Sequence, residues 1–182
     1  MKSENGVSIT VSKSVRSNTL NRLLILVVLA IELLATYASV TGEPLNPVDH
    51  WIVTRETDWM AFVLVFVGCV SLFWQNIRPT LALIITTLSY CAYILSDYEL
   101  GLFLPVMLIL YTSVANGHSR IWPFCMAMIS FLVSLFWVYQ RLIQVNDSGV
   151  IMFAWVAFGA VFAVFFIAPL LIGEIVYLRR KK

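Results

Sequence analysis

Residues 150–177 read VIMFAWVAFGAVFAVFFIAPLLIGEIVY, a run of 28 residues in which Glu174 is the only charged side chain. An apolar helix needs about 20 residues to cross a hydrocarbon core about 30 Å thick. At a rise of 1.5 Å per residue, this run would form a helix about 42 Å long. The run therefore predicts a membrane-crossing helix that either tilts or continues out of the bilayer toward the basic residues 179–182.

Five further apolar runs precede this one, and together they predict an all-α fold, a membrane bundle of six helices. The expected spans are 23–40, 59–74, 80–95, 100–115, 121–139 and 150–177, after a polar and disordered tail at 1–22. Of the 182 residues 60% are hydrophobic and 12% are charged, whereas a soluble domain carries about 25% charged residues. Backbone groups in lipid must pair within their own segment, so helices are the expected spanning elements. Pro105 and Pro169 fall inside expected helices and should kink them.

The distribution of charge predicts the orientation. With the N-terminus inside, ten of the twelve Lys and Arg residues fall on the cytoplasmic side, and only Arg55 and Arg141 fall outside. Seven of the ten acids then lie in the outer segments, namely Glu43, Asp49, Glu56, Asp58, Asp97, Glu99 and Asp147. Basic residues are enriched in cytoplasmic loops, so both termini are expected in the cytoplasm.

Several short segments, in their order along the chain, resemble a known family. These are Arg78-Pro79 before the third run, LYTSVA at 110–115 with Tyr111 and Thr112, His118-Ser119-Arg120, LLIG at 170–173 ending in Gly173, and Arg179-Arg180. This order resembles the N-terminal membrane region of actinobacterial sensor histidine kinases of the nitrate/desiccation-type two-component class, over residues 20–182. Glu174 departs from the family pattern.

The resemblance implies a membrane sensing or anchoring domain of the bacterial plasma membrane. In that family the last helix continues into a dimerisation helix with a phosphorylated histidine, followed by an ATP-binding domain. Here the sequence ends at Lys182, neither His50 nor His118 has the context of that histidine, and no Gly-rich nucleotide motif occurs. The expectation is an input module without the kinase part, forming a homodimer or joining a separately encoded kinase or membrane-complex partner.

Glu32 is the candidate functional residue inside the membrane. It lies in the middle of the first span, where a charged side chain costs about 2.5–3.5 kcal/mol on insertion scales. One interpretation is coupling to protons or cations, which would make the chain a small transporter, channel or accessory subunit. The other is a protonated Glu that is hydrogen-bonded to a neighbouring helix.

The remaining polar residues predict no catalytic centre. The acids of the outer loop with His50 match no metal-binding spacing and are expected to be solvated. Glu174, five residues before Arg179 and close to the terminal basic cluster, is expected to form an interfacial ion pair. Cys69, Cys91 and Cys125 are expected to be buried free thiols. No nucleophile–base motif, HExxH or Walker loop occurs, and the net charge is only +2. We therefore expect no enzyme, no cofactor, no metal and no nucleic-acid partner.

Overall fold

The computed structural model describes residues 5–41, 55–98, 101–117 and 120–182, and within the first helix the side chains of residues 19–39. Its elements are α1 (Asn5–Thr41), α2 (Trp59–Ser71), a single 3₁₀ turn (Leu72–Trp74), α3 (Pro79–Leu95), α4 (Phe103–Ala115), α5 (Ile121–Leu142) and α6 (Ser148–Lys181). No strand occurs in these ranges. The expected all-α class and the six helices of the described chain are therefore confirmed.

The first helix is longer than expected. It begins at Asn5, so most of the tail expected to be disordered at 1–22 is helical. No proline precedes Pro44 in the sequence, so nothing before the apolar run at 23–40 forces the helix to break. The polar tail therefore extends the first apolar run as one helix.

Three helical segments are long and apolar enough to cross a membrane. They are Thr19–Ser39, Ile121–Leu142 and Ser148–Lys181. The other apolar helices, Trp59–Trp74, Pro79–Leu95 and Phe103–Ala115, are shorter. Three of the six expected spans are thus long enough to cross a membrane as single helices.

Contacts at the two ends of the bundle describe an up-and-down arrangement. At one end the backbone N–H of Arg55 donates to the carbonyl of Asp97 (2.8 Å), and Trp137 Nε1 donates to the carbonyl of Tyr98 (3.1 Å). We call this the Asp58 end; it contains residues 55–58, 96–98, 101–102 and 141–148. At the opposite end Gln75 Nε2 donates to Asn21 Oδ1 (3.2 Å). We call this the Arg120 end; it contains residues 19–22, 75–78, 112–117, 120–124 and 174–182.

The bundle is apolar outside and partly polar inside. Large apolar side chains are exposed on all six helices, among them Trp59 (76%) and Phe153 (75%). The buried polar side chains are Glu32, Thr36, Ser71, Gln75, Thr86, Thr87, Ser89, Ser113, Ser130, Ser134 and Arg141. Soluble monomers rarely expose large apolar surfaces, so these exposed side chains, like the three long apolar helices, are consistent with membrane association.

Hydrogen bonds between helices satisfy several of the buried hydroxyl groups. Ser71 Oγ and Thr86 Oγ1 lie 2.6 Å apart and join α2 to α3. Tyr90 Oη and Ser134 Oγ, also 2.6 Å apart, join α3 to α5. These bonds make α3 the centre of the bundle, with α2 and α5 on its two sides.

Helix α6 approaches α4 closely at Gly173. A Cβ atom at this position would lie 2.9 Å from the carbonyl oxygen of Tyr111 and 2.9 Å from Cβ of Val114. Gly159, which the small-residue spacing with Ala163 marks as a second candidate for close packing, has open space around it. Close approach along α6 is therefore made possible by Gly173 and not by Gly159.

Candidate functional site at the α3–α4 loop

Glu32 of α1 binds the beginning of α4. Its side chain is almost fully buried, and its Oε2 and Oε1 atoms accept hydrogen bonds from the backbone N–H groups of Leu102 and Leu104, each at 3.1 Å. The first N–H groups of a helix have no intrahelical acceptor and carry partial positive charge. The carboxylate of Glu32 therefore acts as an N-cap supplied by another helix.

Pro105 completes this helix start. It is the third residue of α4, in the turn whose N–H groups have no acceptor within the helix. Proline at this position removes no intrahelical hydrogen bond, so the expectation that Pro105 kinks the fourth helix is wrong. The two backbone N–H groups that donate to Glu32 belong to the residues on either side of Phe103, and the second of these residues directly precedes Pro105.

The loop that precedes α4 has an uncommon backbone conformation. Asp97 and Leu102 have positive φ angles of 69° and 62°. Aspartate tolerates the left-handed region because its short polar side chain bonds locally, whereas leucine rarely adopts it. Such conformations cost about 1–3 kcal/mol each and persist where surrounding contacts hold them. The contacts of Glu32 with Leu102 and of Arg141 with Asp97 provide that restraint.

Arg141 at the end of α5 is the second charged residue inside the bundle. Only 1% of its side chain is exposed, and its Nη2 forms an ion pair with Asp97 Oδ1, while Nη1 lies 3.3 Å from Asp97 Oδ2. Its guanidinium carbon lies 4.8 Å from the ring centre of Trp137. The sequence predicts that Arg141 falls in an outer segment, and the structure places it at the Asp58 end with its side chain buried against Asp97 and Trp137.

Asp58 links the start of α2 to the same loop. Its Oδ1 accepts from the backbone N–H groups of Met60 (3.0 Å) and Ala61 (3.3 Å) and from the hydroxyl of Tyr98. Its Oδ2 pairs with Arg55 Nη2 at 2.6 Å. Asp58 is therefore an N-cap with several partners whose side chain stays 31% exposed, whereas the sequence predicts a loop charge bound only by solvent.

The hydrogen bond between Asp58 and Tyr98 contributes to a shift in the pKa of both side chains. The Tyr98 hydroxyl, followed by the α2 backbone and Arg55, holds the pKa of Asp58 below its usual value. Burial, together with the adjacent Asp58 carboxylate, raises the pKa of Tyr98. Asp58 is thus held ionised and Tyr98 held protonated, which keeps α2 joined to the loop.

We call residues Glu32, Arg55, Asp58, Asp97, Tyr98 and Arg141 the loop cluster. It ties α1, α2, α3 and α5 to the segment that begins α4. Chemically, it supplies three carboxylates and a phenol, together with two guanidinium groups that stay charged, and the hydrogen bonds and ion pairs between them hold these helix ends. A signal for it existed in the sequence, because Arg141 is an exception to the acidic character of the outer segments.

The family-like motif residues lie at the Arg120 end. Arg78 and Pro79 form the N-cap and first residue of α3. Thr112 Oγ1 donates to Gln75 Oε1 at 2.9 Å, and the carbonyl of Tyr111 lies against Gly173. The structure thus brings Tyr111 and Gly173 together. These contacts pack helices against each other and do not join the loop cluster.

Glu174 also lies at the Arg120 end, where it pairs with Arg120 of α5 at 2.9 Å. The sequence predicts an interfacial ion pair for Glu174, and the structure supplies its partner from the start of α5 and not from Arg179 on the same helix. Arg179 lies five residues along α6, whereas i,i+3 and i,i+4 residues are neighbours on a helix. The actual pair joins α5 to α6.

The other residues considered from sequence do not form a site in the described ranges. Cys69 and Cys91 are buried, as expected, but Cys125 is exposed on α5, so that expectation was wrong. No cluster of three or more His, Cys, Asp or Glu residues suited to a metal occurs in the ranges the structure describes. Glu43, Asp49, His50, Glu99 and His118 lie outside those ranges.

Comparison with protein-family models, with curated proteins and with solved structures gives no match to this chain.

Proposed function

We propose that this chain is a six-span protein of the bacterial plasma membrane, with both termini in the cytoplasm, that serves as the membrane sensing or anchoring module of a two-component histidine kinase. The apolar exterior and the polar interior of the bundle support the membrane location. The Asp58 end then faces outward. The Arg120 end, which carries Arg179, Arg180, Lys181 and Lys182, faces the cytoplasm.

The observation that carries the proposal is the course of α6. This helix runs unbroken from its N-cap Asp147 at the Asp58 end to Lys181 at the Arg120 end. Near its start Phe158 contacts Trp137 edge-on, with ring centres 6.2 Å apart. Trp137 in turn contacts Arg141 and the carbonyl of Tyr98. A change in the loop cluster therefore has a packed route to a single helix, with Pro169 inside it, that reaches the cytoplasmic end.

Aromatic rings continue this route along α6. Phe103 of α4 stacks on Phe165 and Phe162 with ring centres 4.9 Å and 6.0 Å apart, and Tyr90 of α3 contacts Phe166 edge-on at 5.8 Å. Phe103 is the residue between the two N–H groups that Glu32 binds. Movement of the α4 start would therefore press directly on the middle of α6.

The transport alternative depended on Glu32, and its contacts favour the sensing role. α4 has 13 residues, which as a helix measure about 20 Å, well short of the bilayer core. α4 is therefore too short to cross the hydrocarbon core by itself, and in lipid the unpaired N–H groups of its first turn need protein partners. The carboxylate of Glu32 accepts hydrogen bonds from two of these N–H groups. A structural role therefore accounts for a Glu inside the first span, and ion transport is not needed to explain it.

Disulfide trapping in native membranes tests the sensing role. In the family that the sequence resembles, the last helix continues into the dimerisation helix, so α6 is expected to approach its counterpart in a second copy. In a Cys125→Ser background we would place single cysteines on the exposed face of α6, as Leu171→Cys and Ile175→Cys (wild-type exposures 59% and 53%). Leu34→Cys on α1, exposed by 67%, is the matched control.

The expected result is an oxidised dimer from at least one α6 variant and a monomer from the α1 variant. Monomers from both α6 variants, in membranes where the protein is intact, would overturn the kinase-type assignment. The topology is tested separately with cysteine-reactive reagents that do not cross the membrane. Labelling of Arg55→Cys from the cytoplasmic face, or of Lys181→Cys from the outer face, would overturn the orientation.

A further inference from the structure

A groove of about 360 Å³ opens at the Arg120 end between α4, α5 and α6. Its lining residues are Val114, Arg120, Ile121, Phe124, Leu170 and Glu174. Four of these are apolar and the other two form an ion pair. The volume falls within the range of about 300–1,000 Å³ typical of small-molecule sites.

We infer that this groove binds an anionic phospholipid of the cytoplasmic leaflet, with an acyl chain along the apolar wall and the headgroup phosphate on Arg120. The inference goes beyond the proposed signalling role and rests on the membrane location and the orientation within it. Basic pockets between helices on the cytoplasmic side are suited to anionic headgroups.

Arg120 can accept a phosphate without leaving Glu174. Its side chain is 64% exposed, and Nη2 makes the 2.9 Å contact with Glu174 Oε1. A guanidinium carries five N–H donors in a planar fork that matches phosphate oxygens, so donors remain for a headgroup. The ring of Tyr177, whose centre lies 5.6 Å from the guanidinium carbon, supports the other side of Arg120.

The charge around the groove favours an anion. Leu170, Glu174, Tyr177 and Lys181 recur at helical spacing on α6, which places Lys181 on the same side of the helix as the two groove residues. Arg120 and Lys181 together outweigh the single negative charge of Glu174. A negatively charged headgroup therefore gains more here than a zwitterionic headgroup.

The apolar wall fits an acyl chain. Ile121 and Phe124 are exposed by 73% and 59% at the start of α5, and Leu170 lies across from them on α6. In a bilayer these side chains face hydrocarbon, so a chain that enters the groove meets no polar group before the ion pair. The groove therefore has an apolar wall next to a charged end, which matches the acyl chain and the charged headgroup of a phospholipid.

Native mass spectrometry of the full chain in a neutral detergent tests the site. The protein is titrated with phosphatidylglycerol and, in parallel, with phosphatidylcholine of the same acyl chains. We expect phosphatidylglycerol to bind at least about tenfold more tightly, and Arg120→Gln to weaken it about tenfold, since charge-assisted bonds to phosphate are roughly twice as strong as neutral ones. Arg78→Gln is the matched control, because it removes one exposed basic side chain at the same end, outside the groove.

Leu170→Trp, which fills the groove, should weaken the binding of both lipids. Arg120→Lys keeps the charge but loses the planar fork, so it should bind phosphatidylglycerol with a strength between those of the wild type and Arg120→Gln. Equal binding of the two lipids, equal losses in Arg120→Gln and Arg78→Gln, or displacement by inorganic phosphate alone would each overturn the lipid site. Recovery of the protein in the aqueous fraction without detergent would instead overturn the membrane location. The two failures are therefore distinguishable.

Discussion

Removing the carboxylate of Glu32 should release the first turn of α4. In Glu32→Ala, the N–H groups of Leu102 and Leu104 lose their acceptors. The Leu102 group is buried and the Leu104 group is partly buried. Each buried unsatisfied group costs about 1–3 kcal/mol, so we expect a loss of about 2–5 kcal/mol in the free energy of unfolding. Glu32→Gln keeps one oxygen acceptor but turns an NH₂ toward the other N–H, so its expected loss is smaller, about 1–3 kcal/mol.

Unfolding of the purified protein in mixed micelles, followed by tryptophan fluorescence, measures these losses. Ser39→Ala is a control on the same helix, because the Ser39 hydroxyl is exposed and bonds only the carbonyl of Ala35 among its described contacts (3.3 Å). The order of stability should be wild type and Ser39→Ala, then Glu32→Gln, then Glu32→Ala. Full stability of Glu32→Ala would refute the capping role. Ion flux that disappears in Glu32→Gln without a change in stability would favour the transport alternative.

Two further predictions concern single contacts. Gly173→Ala should destabilise the protein by about 1–3 kcal/mol, since the added Cβ would meet Tyr111 and Val114. Gly159→Ala, in open space, should be neutral or slightly stabilising. Equal changes in the free energy of unfolding for the two variants would contradict the α4–α6 packing. The lowered pKa of Asp58 means that its contribution to stability is present above the unfolded-state pKa and is lost as pH falls through the lower folded-state pKa. Tyr98→Phe should therefore move the acid unfolding midpoint to higher pH, and an unchanged midpoint would contradict the role of that hydrogen bond.

The loop cluster shows why polar residues are kept inside this bundle. Asp97 and Leu102 hold conformations that cost free energy by themselves. Arg141 and Glu32 offset this cost by binding these two residues from α5 and α1. The hydrogen bonds of the Arg55 N–H with the Asp97 carbonyl and of Trp137 with the Tyr98 carbonyl add to this restraint.

The positions of most helices can be predicted from the sequence, because helix formation in this chain depends on local features of the sequence. Apolar runs and the obligatory pairing of backbone groups place five helix starts within three residues of expectation, among them Trp59, Ile121 and Ser148. The helix over Asn5–Arg22 does not follow from the sequence pattern, because a polar composition predicts disorder and carries no signal for the continuation of the first apolar helix. The charge distribution along the chain likewise comes directly from residue order and predicts the orientation.

The partners of the charged residues were decided only by the tertiary structure. Glu32 and Leu102 are 70 residues apart, and Asp97 and Arg141 are 44 apart. Residues so distant along the chain meet only after the helices have taken particular rotations about their axes. Those rotations depend on close packing between helices, as at Gly173, and hydrophobic runs alone do not specify them. Residue order therefore determined the helices and the charges of this protein, and packing between the helices determined which charges meet.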